Sequence, residues 1–224
     1  MLDETFAPTG LFTDEGQVTR CVWCRATPEY QHYHDHEWGF PVQDDRLLFE
    51  KVCLEGFQAG LSWLTILKKR EAFRRGFAEF DMDQVAKFGE SETKRLLLDT
   101  GIVRHQGKIA STINNAQRAQ EIREEFGSLA AYFWQFEPAT ETRPHQITRQ
   151  TMSGVSTSPE SVALSKDLRK RGWSFVGPTT MYAFMQAMGL VNDHIQGCAA
   201  RRGALQARSD FESTMVARTG PQSH

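Results

Sequence analysis

Leu96-Leu97-Leu98-Asp99-Thr100-Gly101-Ile102-Val103-Arg104 reads as the end of one helix, a tight glycine turn and the entry to another. Upstream, Ser91 is placed to cap a helix running to Asp99. Downstream, a helix begins near Arg104 and continues to about Glu125. That is a helix-hairpin-helix pattern. A hairpin at a helix N-terminus presents backbone N–H groups that can hold a phosphate oxygen without reading base sequence. Gly101, Arg104 and Lys108 are its candidate phosphate contacts. The pattern alone does not establish that use, because any helix pair can turn through a glycine.

Outward from the hairpin, helical signals dominate. Asp44 can cap Asp45 through Gln58, in which Leu47, Leu48, Val52 and Cys53 recur at near-helical spacing and Ala59-Gly60 is a natural stop. Ser62 can cap a helix through Lys68-Lys69-Arg70 to Phe77, and Asp81 a short one to about Phe88. Residues 137–158 are polar and read as a surface connection; Ser158 or Pro159 opens a helix reaching Arg171, and 177–189 gives a buried apolar helix with proline at its start. Residues 1–19 read as a flexible arm and 199–224 as a flexible tail, which leaves 20–198 as the folded unit. No alternating strand pattern stands out, so the expected fold is all-α.

At 224 residues, with 40% hydrophobic and 24% charged side chains, the composition suits one compact soluble domain. No uncharged run is long enough to cross a bilayer, and Met1 does not lead into a basic region and an apolar core, so a cytoplasmic protein without a membrane partner is expected. In that compartment the four cysteines are thiols or metal ligands. Lys plus Arg at 26 against Asp plus Glu at 28 lacks the overall basic footprint of a general nucleic-acid binder. Local clusters at Lys68-Lys69-Arg70 with Arg74-Arg75, at Arg104-His105 with Lys108, and at Lys166 with Arg169-Lys170-Arg171 would suit a phosphate track if they converged. Each better suits a solvated helix end, where cations favour the last turn.

Two further features carry chemistry. Glu55 is the only charged side chain between Cys53 and Ile66. An ionised carboxylate in apolar surroundings is either structurally satisfied or held for a ligand. Cys21 and His34 near the start, with His194 and Cys198 near the end, are residue types that suit a closed, structural tetrahedral zinc site if the chain brings them together; buried free thiols and surface histidines are the alternative. Cys21-x-x-Cys24 is an alternative pair, and His32, His34 and His36 would share a face of an extended segment, which would suit an open hydrolytic metal site.

Read in order, Arg20-Cys21-Val22-Trp23, Tyr30-x-x-Tyr33-His34-Asp35-x-Glu37-Trp38-Gly39, Cys53-Leu54-Glu55-Gly56, Gln58-Ala59-Gly60-Leu61-Ser62-Trp63, Gly101-Ile102-x-Arg104-His105-x-Gly107-Lys108, Phe175-Val176-Gly177 and Gln186-Ala187-x-Gly189-Leu190-Val191-Asn192-Asp193-His194 closely resemble the 3-methyladenine DNA glycosylase I (TAG) family. The resemblance covers about residues 20–198. It implies an all-helical fold of the helix-hairpin-helix glycosylase superfamily, with a structural zinc held by Cys21, His34, His194 and Cys198 and no metal role for Cys24, His32 or His36. It implies base-excision repair of double-stranded DNA: hydrolysis of the N-glycosidic bond of 3-methyladenine, leaving an abasic site without strand cleavage; one lesion per active site requires only a monomer.

N3-methylated adenine in a nucleotide is cationic, so its glycosidic bond is already weakened and the pocket must supply recognition more than acid catalysis. Glu55 then neutralises the base and accepts from its amine, while Trp63, Tyr33, Tyr30 and Trp23 are candidates to stack on it. Gln58 and Leu61 are candidates to fill the gap left in the duplex. Many superfamily members carry a catalytic aspartate after the hairpin helix; residues 111–117 here contain none. Lys108 is a hairpin phosphate contact in this reading, rather than a Schiff-base nucleophile. The alternative is a non-catalytic, zinc-stapled DNA-binding or damage-sensing module.

Overall fold

In the computed structural model, which describes residues 9–219 and their side chains through 211, local capping chemistry sets most element boundaries. β1 (Leu11–Thr13) and β2 (Thr19–Cys21) pair antiparallel, with Leu11 opposite Cys21. Thr27 accepts the Tyr30 N–H to start α1 (Pro28–His36), Asp44 that of Leu47 to start α2 (Asp45–Gln58), and Ser62 that of Thr65 to start α3 (Trp63–Gly76). Asp81 opens α4 (Met82–Val85). α5 (Glu90–Leu98) begins with Gly89 at the cap and the Glu92 carboxylate reaching back to its N–H, so the cap expected of Ser91 falls two residues earlier. In α6 (Gln106–Phe126) the His105 ring accepts the Lys108 N–H. Ser128 caps α7 (Leu129–Phe133), Ser158 caps α8 (Pro159–Lys170), and α9 (Pro178–Ala187) and α10 (Ala199–Thr219) follow.

The chain divides into two compact units where one domain was expected: Val42–Glu137 with Ser156–Met185, and the remainder, which comprises the chain up to Pro41, Pro138–Val155 and everything from Gln186. In the first, α2 packs against α3, α6 and α7, and every residue from Leu48 to Phe57 is buried. A helix covered on all sides has no polar face to spare, so its charges must pair internally. Glu50 accordingly accepts two N–H bonds from the Arg74 guanidinium on α3, at 3.0 Å from Nε and 2.8 Å from Nη2. The surrounding core is aromatic, with the Phe57 and Phe73 ring centres 4.5 Å apart and those of Phe133 and Phe184 4.7 Å apart.

The second unit corrects both ends of the sequence-based boundary. Residues 11–21 form a hairpin where a flexible arm was expected; three-residue strands are too short to produce a visible alternation. Residues 199–219 form α10 where a flexible tail was expected, with Ala200 and Ala204 buried and the helix packed on α1 and β2. Alanine has high helix propensity but little hydrophobic signal, which is why the stretch reads as a tail. Residues 1–8 of the expected arm and 220–224 of the expected tail lie outside the described residues. Gly189 has φ +76°, and a Cβ there would lie 2.4 Å from the Phe40 carbonyl carbon, so only glycine lets these two backbones meet.

Candidate functional site

Glu55 sits on the last turn of α2, 5% exposed, and Trp63 opens α3 across the turn Ala59–Ser62. The carboxylate is not solitary. Lys51, one helical turn earlier and equally buried, brings Nζ to 2.9 Å from Glu55 Oε1. The same Nζ lies 3.2 Å from the centre of the Trp63 ring. A carboxylate and an indole face therefore hold one cation between them, combining an ion pair with a cation–π contact in a site largely removed from water. Sequence reading missed Lys51 because the apolar window was opened at Cys53; the Lys-to-Glu spacing of four was the available signal.

The turn that separates the two residues is exposed: Leu61 is 42% accessible, its N–H donates to Gln58 O at 2.6 Å, and Gln58 is half-buried. Lys108 supports this turn from inside. Its Nζ donates to Phe57 O at 2.8 Å and Ala59 O at 2.7 Å, and burial holds the ammonium below the ordinary lysine range. The phosphate contact expected of Lys108 is therefore corrected: its donors close the C-terminus of α2, where unpaired carbonyls and the helix dipole favour a cation.

At the hairpin, a Cβ on Gly101 would lie 2.8 Å from Ala72 Cβ, so the glycine permits close approach to α3. Its N–H donates to Asp99 Oδ1 at 2.7 Å, while Lys69 Nζ binds the Thr100 and Gly101 carbonyls, each at 3.1 Å. Arg104 is exposed beside it.

Along α6, the face that lacks an aspartate carries neutral polar groups with structural partners. Ser111 Oγ and Asn115 Nδ2 donate to Ser174 O at 3.1 and 3.0 Å, and the Ser174 N–H returns to Asn115 Oδ1 at 3.0 Å. This clamp holds the next residue, Phe175, at φ +56° and 39% exposed. A bulky side chain at positive φ is strained and persists only where its surroundings determine it. Its Cβ would come within 3.2 Å of a Cβ on Gly56, and its ring meets His105 edge-on at 6.3 Å. Phe175 was legible only as part of a motif, since nothing local marks its exposure.

In the other unit the four expected metal ligands meet. Cys21, His34, His194 and Cys198 are buried, and their ligand atoms all lie within 4.8 Å of one another. His34 Nδ1 bonds Asp35 Oδ1 at 2.7 Å and His194 Nε2 bonds Trp38 O at 2.8 Å. Both partners accept, so each ring carries its proton on the outer nitrogen and turns a lone pair inward. Those inner nitrogens, His34 Nε2 and His194 Nδ1, are 3.1 Å apart. Two lone pairs and two sulfurs at that spacing form a donor set suited to a cation. Asp35 is in turn held by Arg20 Nε at 2.8 Å.

The competing ligand sets do not assemble. Residues 28–36 are helical, so His32 and His36 stack on the exposed side, ring centres 4.4 Å apart, while His34 points inward. Cys24 donates its thiol to Cys21 O at 3.1 Å, and burial pushes it up to about 12. Of the rings proposed for stacking in this unit, Tyr33 is buried and Tyr30 is half-buried. Trp23 is met edge-on by Tyr30 at 5.0 Å, His34 at 5.1 Å and Trp38 at 5.0 Å, which makes it part of the wall around the Cys/His cluster.

Comparison with known proteins places the chain in a family. The methyladenine glycosylase family model matches residues 23–202. DNA-3-methyladenine glycosylase 1 of Escherichia coli is 46% identical over 187 residues, covering 83% of this chain and 98% of that protein. A crystal structure of 3-methyladenine DNA glycosylase I superposes with a TM-score of 0.74 at 46% identity, covering 80% of this chain and 98% of the other. The enzyme from Staphylococcus aureus, solved to describe 3-methyladenine recognition, gives a TM-score of 0.74 at 34% identity, covering 81% and 96%. Named glycosylase relatives 41–46% identical over most of the chain make it an N-glycosylase, which sets aside the non-catalytic alternative. The chain belongs to the methyladenine glycosylase family.

Proposed function

We propose that the protein recognises its lesion as a cation, with Glu55 as the neutralising carboxylate and Trp63 as a stacking surface. Its activity is that of its family: hydrolysis of the N-glycosidic bond of 3-methyladenine in DNA, a step of base-excision repair. One observation carries the recognition reading. Glu55 and Trp63 already share a positive charge, at 2.9 Å from the carboxylate and 3.2 Å from the ring centre. A site that holds an ammonium suits a methylated purine carrying the same charge.

Because the leaving group is already charged, no general acid is required, and the neutral Ser111 and Asn115 on α6 agree with that. Water completes the reaction at C1′, and the bond's electron pair leaves with the base. The buried Lys108, engaged with two carbonyls, is withheld from Schiff-base chemistry, which supports a monofunctional enzyme that does not cut the strand. The hairpin at 96–110, read as the helix-hairpin-helix element, contacts duplex backbone through the exposed Arg104, the Gly101 N–H being taken by Asp99. Gln58 and Leu61 fill the space vacated by the base, and Phe175 adds a second exposed apolar contact.

Zinc is the proposed occupant of the Cys21, His34, His194 and Cys198 cluster. The inward lone pairs and the Asp35 and Trp38 partners support a structural ion, which ties residues 21–34 to 194–198 and supplies no step of the reaction. Incubating methylated duplex DNA with the protein and assaying released bases tests the reading. Free 3-methyladenine with intact strands is expected, and Glu55→Gln should slow its release strongly while the protein stays folded. Full activity in Glu55→Gln would sink the carboxylate assignment.

A further inference from the structure

We propose that Lys51 is a resident cation of the base site, displaced when the charged base enters and returning when the base becomes neutral, so that it drives product release. The inference rests on Glu55 and Trp63 being the base-recognition pair. Lys51 Nζ lies 3.2 Å from the Trp63 ring centre, in the layer of space that a purine stacked on that face would fill. Ammonium and base cannot occupy it together. Nor can two cations sit side by side at one buried carboxylate without strong repulsion.

Exchange is nonetheless balanced in charge. Glu55 is 5% exposed, and a buried carboxylate stripped of its cation is costly. When the cationic base enters, one positive charge replaces another and Glu55 stays compensated, while the flexible four-carbon stem lets the ammonium swing outward.

Cleavage then reverses the preference. The C1′–N9 bond breaks with its electron pair going to N9, which cancels the positive charge of the purine ring. Water forms the new C1′–O bond and releases a proton to solvent. The product in the pocket is now neutral and leaves Glu55 uncompensated. Lys51 is four residues away on the same helix, and its return restores the ion pair and expels the base. The enzyme thereby holds its substrate by charge and releases the product because that charge is gone.

The test compares Lys51→Met with the parent for binding of free 3-methyladenine at mildly alkaline pH. Its dissociation constant should fall about tenfold, the scale of a buried cation–π contact that no longer competes. Inhibition by added free base should strengthen to match, and the ratio of single-turnover to steady-state excision rate should rise. Equal or weaker binding of the free base would overturn the proposal and make Lys51 a positioning residue for Glu55. A second measurement uses the unaltered protein: reductive methylation of Lys51, read by mass spectrometry, should accelerate when free 3-methyladenine saturates the site. Unchanged or slowed labelling would also overturn it. Glu55→Gln and Trp63→Ala separate the two ideas. If both release 3-methyladenine from methylated duplex DNA like the parent, the recognition pair itself is wrong; if both release it more slowly while Lys51→Met binds the free base no tighter, only the role of Lys51 fails.

Discussion

Lys108→Met separates two uses of one lysine. In the structure Nζ donates to Phe57 O and Ala59 O at 2.8 and 2.7 Å. Methionine keeps most of the stem's packing but removes both donors. Phe57 is 1% exposed, so its carbonyl loses its donor in a buried setting, at a cost of about 1–3 kcal/mol. Ala59 is exposed, and water can replace the lysine there. Removing a buried ammonium whose charged form burial disfavours returns part of the loss. A net destabilisation of about 1–2 kcal/mol remains, which in a chain of this size lowers Tm by roughly 2–8 °C. Calorimetry measures that term. In parallel, binding to a duplex carrying an abasic-site analogue is followed across a salt series. Support of the Gln58–Leu61 turn predicts weaker binding with an unchanged slope of log K against log salt. A direct phosphate contact predicts an unchanged Tm and a slope reduced by about 1. The second outcome would refute the assignment made from the structure.

Three other expectations follow from the same geometry. Phe175→Gly should leave Tm equal or higher, because glycine is unstrained at φ +56°, yet weaken duplex binding by about fivefold or more through lost apolar contact; unimpaired binding would remove Phe175 from the DNA-facing surface. Metal analysis of the purified protein should find about one zinc per chain, and prolonged chelation or Cys198→Ser should lower Tm by roughly 10 °C or more; a protein without bound metal that ignores chelators would exclude the structural ion. Asp81 is held below its ordinary 3.8 by the Gln84 side chain and by the backbone N–H groups of Gln84 and Asp83. Its contribution to stability is therefore complete above that ordinary value and lost as pH falls through it toward the native one. Asp81→Asn should flatten the acid limb of a stability–pH curve, and an unaltered limb would contradict the linkage.

The Lys108 and Lys51 cases mark where reading the chain alone stops. Caps at Asp44, Ser62, Asp81 and Ser158 depend on residues within one turn and were legible with their helices. The ligand quartet was legible as chemistry, since two thiols and two imidazoles suit one kind of ion, although their meeting was not. Lys108 read as a hairpin cation because its local neighbours are basic; its actual partner, Phe57, is 51 residues away. Glu55 read as solitary because the apolar stretch was taken from Cys53; the Lys51 spacing was local, but the burial of the pair, with every residue from Leu48 to Phe57 covered, was not.

By itself, then, the sequence determined α2 to α6, α8 and α9, the type of ion its donor set would take, and the presence of a carboxylate and an indole on either side of one turn. Those follow from capping, propensity and side-chain chemistry, which act over a few residues. Tertiary structure alone decided that Lys51 lies between Glu55 and Trp63, that Lys108 faces inward, and that Phe175 is held outward. Burial and charge pairing depend on what packs against each side chain, and that is fixed by contacts distant in the chain.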